Sequence, residues 1–294
     1  MGKLIIDETT LKNIGDAIRE KTGTTNSYSP AEMAAAILNI TTSGNADEVI
    51  NRTVTEYASD TLTEVGRYAF HYCKNLTTVD LPNVTTLNSF AFNFCTALNS
   101  VNLPNLETVS YSAFESAGTN TLEISLPKVT TVHTKGFWKS NIVSLDLPLY
   151  EGAEADTWVF RECENLTEVN LPKLSYVSDY AFAYSSALTE VNLPSATIID
   201  TYAFYTCESL TKVDLGNAEK IYTEAFSQTE LDTLILRKTD AICQLPGGVS
   251  AFAGTPISNG TGYIYVPSAL IEEYKANTQW SNFAERFREI EIYL

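Results

Sequence analysis

One short arrangement of hydrophobic and polar positions recurs along the chain. An Ala-Phe dipeptide, or a near relative, places a phenylalanine at Phe70, Phe92, Phe114, Phe137, Phe160, Phe182, Phe204 and Phe226, at intervals of 22 or 23 residues. A second marker keeps step with it: Leu81-Pro82, Leu103-Pro104, Leu126-Pro127, Leu147-Pro148, Leu171-Pro172 and Leu193-Pro194, with Leu215-Gly216 and Leu236-Arg237 in the equivalent places. Two markers in phase over this length identify a solenoid of stacked coils. The unit from Leu98 to Phe114 shows the physics. Val101 and Leu103 turned inward, with Ser100 and Asn102 outward, predict a short half-buried strand. Pro104 ends it, because proline cannot donate to a ladder. Leu106 and Val109 return to the core, and Phe114 plugs the coil. No coil can bury its apolar edge alone. Stacking at about 4.8 Å hides it, giving a rod on the order of 40 Å for these repeats.

The flanks follow other periodicities. Leu11, Ile14 and Ile18 share one helical face, and Gly23 suits the position that ends a helix. Ser29-Pro30-Ala31-Glu32 reads as a capping box that opens a second helix through Met33, Ile37 and Ile40. Two such helices are too small to be stable alone, so they pack on the first repeat, on a second copy or on a larger particle. After the repeats, Gly247-Gly248 and Gly254-Thr255-Pro256 mark loops around a degenerate repeat at Ala251-Phe252. Tyr263 to Pro267 reads as a strand. Ser268 is placed to cap a helix through Leu270, Ile271 and Tyr274. A second short helix from Ser281 and a final strand from Ile290 to Leu294 complete a cap. The predicted fold is an α+β repeat solenoid, a right-handed coil with a parallel sheet. Residues 1–44 form a helical hairpin and linker, 45–245 the repeats, and 246–294 a degenerate repeat and α/β cap.

Composition narrows the function. The chain is 44% hydrophobic and 19% charged over 294 residues, enough apolar material for an ordered core. Its net charge of −17 sits mostly in residues 45–245, and such a surface repels phosphate backbones, so nucleic acid and anionic lipid are poor partners. No run of eighteen apolar residues is present to span a membrane. Met1 to Glu8 lacks the features of a signal peptide. Unconventional export, a removed leader and release without the secretory pathway all stay open.

The chemistry points to binding rather than catalysis. His71 and His133 fall in non-equivalent repeat positions, in no triad-like or metal-like spacing. Cys73, Cys95, Cys163 and Cys207 each follow the repeat phenylalanine by three residues, where other units carry Ala117, Ser140, Ser185 and Thr229. That interchange describes a small buried side chain, not a disulfide or a metal ligand. No cofactor and no metal are expected. On the outward strand positions run two ladders, Asp80, Asn102, Ser125, Asp146, Asn170, Asn192 and Asp214, beside Thr78, Ser100, Glu123, Ser144, Glu168, Glu190 and Lys212. They form either a solvated polar face or a hydrogen-bonding strip for a protein or glycan, and an open sheet lacks the pocket that glycoside hydrolysis needs. A third ladder stands two residues before the core phenylalanine: Tyr68, Phe90, Trp158, Tyr180 and Tyr202, interrupted by Ser112 and Lys135. Period-two alternation places it on the same side as the phenylalanine, as extra packing. If exposed, Trp158, Tyr180 and Tyr202 become the best binding anchors.

The pattern V-x-L-P-x-L-x-x-V-x-x-x-A-F-x-x-C/A/S resembles the BspA-like leucine-rich-repeat family of bacterial surface and gut-associated proteins. The resemblance implies an adhesion or protein-binding module without enzymatic activity. The stretches Ile14 to Gly23 and Ser29 to Ile37 look like a short module of tail-associated and prophage-encoded proteins of Gram-positive bacteria. That likeness implies that residues 1–44 are an attachment point, while a plain cap for the solenoid and self-association through the hairpin stay open. A phage tail receptor-binding component and a bacterial adhesin are thus both expected readings, which imply a virion-associated or an extracellular, cell-surface location, with a glycan-acting enzyme as the alternative of another class.

Overall fold

The computed structural model describes residues 54–119 and 121–290; the expected helical hairpin at 1–44 lies outside them. Each coil has three sides. The first is the predicted strand, and its members stack in parallel as three ribbons. With strands numbered along the chain, these are β1 (Glu56–Ala58), β3 (Thr78–Asp80) and β5 (Ser100–Asn102); then β7 (Leu122–Ser125), β9 (Ile142–Asp146) and β10 (Glu168–Asn170). The third ribbon holds β12 (Glu190–Leu193), β14 (Lys212–Leu215), β16 (Thr233–Leu236), β17 (Tyr263–Val266) and β18 (Phe287–Glu289). Register follows the repeat: Tyr57 pairs with Val79 and Val79 with Val101, Leu145 with Val169, and Val191 with Val213. A slip by one residue would turn the buried set to solvent.

A second ribbon, which the sequence pattern does not announce as strand, lies along the next side. Its two-residue members are β2 (Glu64–Val65), β4 (Thr86–Leu87), β6 (Thr108–Val109) and β8 (Thr131–Val132), then β11 (Tyr176–Val177), β13 (Ile198–Ile199) and β15 (Lys220–Ile221). One residue of each points into the core, so no alternation was available to read.

The third side is a run of turns around the core phenylalanine. In the first coil the N–H of Ala69 donates to Gly66 O, that of His71 to Tyr68 O and that of Cys73 to Phe70 O. The residues two before and two after each phenylalanine hold φ between 52° and 64°, among them Tyr68 and Tyr72, Trp158 and Glu162, and Tyr202 and Thr206. A turn that takes positive φ at its third residue normally recruits glycine or asparagine. Here the coil-to-coil bonds hold the conformation instead. The N–H groups of Tyr68, Phe70 and Tyr72 donate to Ser89 O, Ala91 O and Asn93 O of the next coil, and those of Tyr202, Phe204 and Thr206 to Thr223 O, Ala225 O and Ser227 O.

Inside, the phenylalanines form one column from Phe70 to Phe252, with stacked rings 5.0–5.7 Å apart. All are at most 2% exposed. The column is then closed by the tilted ring of Trp280 and the edge of Phe283 against Phe252.

The C-terminal cap differs from expectation in detail. Thr255 and Pro256 open a short helix, α1 (Pro256–Asn259), rather than a loop, with the Thr255 hydroxyl accepting from the Ser258 N–H. Ser268 begins a 3-10 turn (Ser268–Leu270) instead of capping, and α2 (Ile271–Ala276) follows. The short helix expected from Ser281 is present as a 3-10 helix, Ser281–Arg286. A strand spans Phe287–Glu289, and the strand expected from Ile290 to Leu294 lies, beyond Ile290, outside the described residues. Phe287 and Ile264 pair across β17 and β18, so Phe287 serves as the inward residue of β18. The cap also satisfies backbone groups that a further coil would have met. The Cys243 N–H donates to the Tyr274 hydroxyl at 2.8 Å, the Trp280 indole donates to Cys243 O at 2.6 Å, and the Leu245 N–H donates to Gln279 Oε1 at 2.9 Å.

Candidate functional site

The strand ladders point outward as the alternation requires. Asp80, Asn102, Glu123, Glu168, Asn170, Glu190 and Asn192 are exposed, with Asp146 and Asp214 half-buried. Much of this face is occupied with itself. Asn102 donates to Asp80 Oδ1 at 2.7 Å, and Asp146 accepts both from Ser125 at 2.8 Å and from Asn170 at 2.7 Å. Arg237 forks onto both oxygens of Asp214 at 2.6 and 2.7 Å, and Lys212 pairs with Glu190 at 3.5 Å. These bonds come from residues one repeat apart, so they rigidify the ribbon and leave fewer donors and acceptors for a partner.

The aromatic ladder is placed differently from the period-two expectation. The segment is turn, not strand, and its positive φ swings the side chain away from the core. Trp158, Tyr180 and Tyr202 are half-buried at the surface of the third side, while Phe160, Phe182 and Phe204 fill the interior. Trp158 and Tyr180 have ring centroids 5.8 Å apart, and Tyr180 stacks on Tyr202 at 4.6 Å. At the other end, Tyr68 stacks on Phe90 at 4.8 Å.

A second row, which the sequence reading missed, stands two residues after the core phenylalanine: Tyr72 stacks on Phe94 at 4.6 Å, and Tyr184 meets the edge of Tyr205, one residue after Phe204, at 5.5 Å. Its signal was the same period at a different offset, diluted by Ser116, Lys139, Glu162, Thr206 and Gln228. Cations thread the two rows. The Arg161 guanidinium lies 4.0 Å from the Trp158 ring centroid, 5.1 Å from Tyr184 and 5.4 Å from Tyr180. Lys135 Nζ lies 4.5 Å from Trp138 and 5.1 Å from Trp158. Glu162 anchors them, accepting from the Trp138 indole at 3.3 Å and pairing with Lys139 at 3.2 Å and Arg161 at 3.3 Å.

Among the described residues, several titratable groups form local pairs. His133 Nδ1 lies 3.1 Å from Asp156 Oδ1, an oxygen that also accepts the Thr134 N–H. Burial and the neighbouring Asp200 carboxylate raise the Asp179 carboxyl to about 6. Asp200 accepts the Tyr176 hydroxyl at 2.7 Å. The five cysteines are buried and none forms a disulfide, and burial pushes the Cys207 thiol up to about 12 and that of Cys163 higher still. Five members of their column are donors as well as small. Cys95, Ser140, Cys163, Ser185 and Cys207 donate to the carbonyl of the previous coil's phenylalanine, Phe70, Phe114, Phe137, Phe160 and Phe182. That bond explains the interchange of Cys with Ser. Among the described residues, no group of three His, Cys, Asp or Glu side chains is placed to hold a metal ion, and no helix is long and apolar enough to cross a membrane.

Comparison with known proteins agrees with this architecture. A leucine-rich repeat protein from Bacteroides ovatus superposes with a TM-score of 0.54 at 19% identity, over 70% of this chain and 59% of that one. This chain thus spans well under two thirds of that protein's length. The pneumococcal vaccine antigen PcpA matches with a TM-score of 0.44 at 14% identity over 80% and 81% of the two chains. A leucine-rich cell surface protein from Faecalibacterium prausnitzii gives 0.32 at 18% identity over 78% and 77%. Only the first superposition is good enough to bear on the fold. No curated protein matches the chain. The BspA type leucine rich repeat region matches in six copies across residues 63–152 and 130–255. Proteins of that type are generally non-enzymatic binding or adhesion proteins. With most of its length covered by the repeat, the chain belongs to the BspA-type leucine-rich-repeat family.

Proposed function

We propose that this protein is a non-enzymatic interaction protein that holds a protein or glycan partner on the third side of its solenoid. The observation that carries the reading is the outward placement of Trp158, Tyr180 and Tyr202, stacked on one another and half-exposed where a core role would have buried them. Each such ring brings a large contact area with little side-chain entropy to lose, which is why Trp and Tyr dominate binding hot spots. The strand-face residues Asp80, Asn102, Glu123, Asp146, Glu168, Asn170, Glu190, Asn192 and Asp214 are the second candidate surface, weakened by their bonds to one another.

Residues 1–44 would then provide attachment or self-association, and the solenoid display, on a virion or on a bacterial surface. Light scattering on the chain with and without residues 1–44 tests the first part: a change in oligomeric mass supports it, and an unchanged mass removes self-association. An array of bacterial surface proteins and glycans probed with the intact chain tests the function. Saturable binding to one class is expected. Turnover of an arrayed glycan without retention of the chain would replace this reading with an enzymatic one.

A further inference from the structure

The outer aromatic column ends differently at its two ends. In the position two before the core phenylalanine, successive coils read Lys135, Trp158, Tyr180, Tyr202 and Glu224. At the first end the chain supplies its own cation: Lys135 Nζ lies 5.1 Å from the Trp158 ring centroid. At the last end Tyr202 is the terminal ring, and the next coil places a carboxylate, Glu224, where another ring would stand. The Tyr202 hydroxyl donates to Glu224 Oε1 at 3.4 Å, and Tyr205 meets Tyr202 edge-on at 5.4 Å. The middle of the patch shows that these ring faces hold a cation withdrawn from water. Arg161 is 16% exposed, sits over Trp158, Tyr180 and Tyr184, and has its Nε buried with no hydrogen-bond acceptor among the described residues.

We infer that the Tyr202–Glu224 end of this column takes an arginine or lysine side chain from a partner protein, the guest cation lying against the Tyr202 ring and pairing with the Glu224 carboxylate. The inference rests on the proposed function and names its partner as a basic protein segment. Charge complementarity supports that occupant. The chain carries a net charge of −17, and Asp179 and Glu224 both act on the Tyr202 side. Ring quadrupole and carboxylate act together on one cation, whereas a neutral sugar would use the ring alone.

The test is calorimetric titration of the intact chain, at 0.15 M salt, with acetyl-Gly-Arg-Gly-Arg-Gly-amide, its lysine counterpart and chitotetraose. Binding of the basic peptides is expected. Tyr202→Ser, which installs the residue that Ser112 already carries in the same backbone conformation, and Glu224→Gln should each weaken binding by about fivefold or more. Tyr202→Phe, which keeps the ring, should stay within about twofold. Glu107→Gln, at an exposed position outside both candidate surfaces, should leave the affinity unchanged. Failure of the peptides to bind overturns the inference. So does Tyr202→Ser binding like the parent, or Glu107→Gln costing as much as Glu224→Gln, which would mean only bulk acidity. Binding of chitotetraose with no binding of either peptide sinks the cation site yet leaves the broader binding function standing.

Discussion

Thr206 holds φ at 57°, a region that β-branched residues seldom occupy, and it does so because its N–H bonds to Ser227 O in the next coil. Left-handed backbone at a non-glycine residue costs about 1–2 kcal/mol. Thr206→Gly should therefore raise stability by about 0.5–1 kcal/mol in urea unfolding, part of the gain being offset by glycine's freedom in the unfolded chain. A destabilised variant would show that the position is not strained.

Asp179 gives a pH signature at the same scale. Its folded carboxyl, raised to about 6, lies above the unfolded value near 4, so the folded state binds the extra proton between those pH values. Its contribution favours folding at low pH and is lost as pH rises through about 6. Asp179→Asn should raise the unfolding temperature at pH 7.5 by roughly 1–2 °C, solvent screening being allowed for, and should have little effect at pH 4. Equal shifts at both pH values would contradict the assignment.

Elements were legible in proportion to their periodicity. The first-side strands could be read from pairs such as Val101 and Leu103, because alternation is visible over four residues. The second ribbon could not, since Thr108–Val109 offers one buried residue and no repeat of two. The aromatic rows were visible as a column, but their direction was not. Alternation assumes a strand, and the third side is built of turns whose positive φ at Trp158, Tyr180 and Tyr202 reverses the outcome. The cysteine column was legible as small and buried, while the bond to the preceding phenylalanine carbonyl was not. That bond makes a further prediction. Cys163→Ser keeps a donor to Phe137 O and should be nearly neutral, whereas Cys163→Ala should lose about 1 kcal/mol in urea unfolding. Equal loss in both variants would leave size alone as the explanation.

At the scale of the molecule, stability passes from coil to coil through the phenylalanine column and stops at the cap. Trp280, Phe283 and Tyr274 stand in for a missing coil, closing the column at Phe252 and satisfying the backbone of Cys243. In a quasi-one-dimensional array, Trp280→Ala should fray the last repeats first. Hydrogen exchange should then show the amides of β16 and β17 losing protection while those of β7 and β9 keep it.

The acidic, rigid wall carries its half-exposed rings on one side and self-bonded polar ladders on another, so the two surfaces can be separated by mutation. The most direct measurement is binding of the first array partner to two multiple variants. One is Trp158→Ser, Tyr180→Ser and Tyr202→Ser; the other is Asp80→Asn, Glu123→Gln and Glu168→Gln. Loss of binding in the ring variant with retention in the strand-face variant is expected, both remaining folded by circular dichroism. Retention in the ring variant and loss in the strand-face variant would contradict the account.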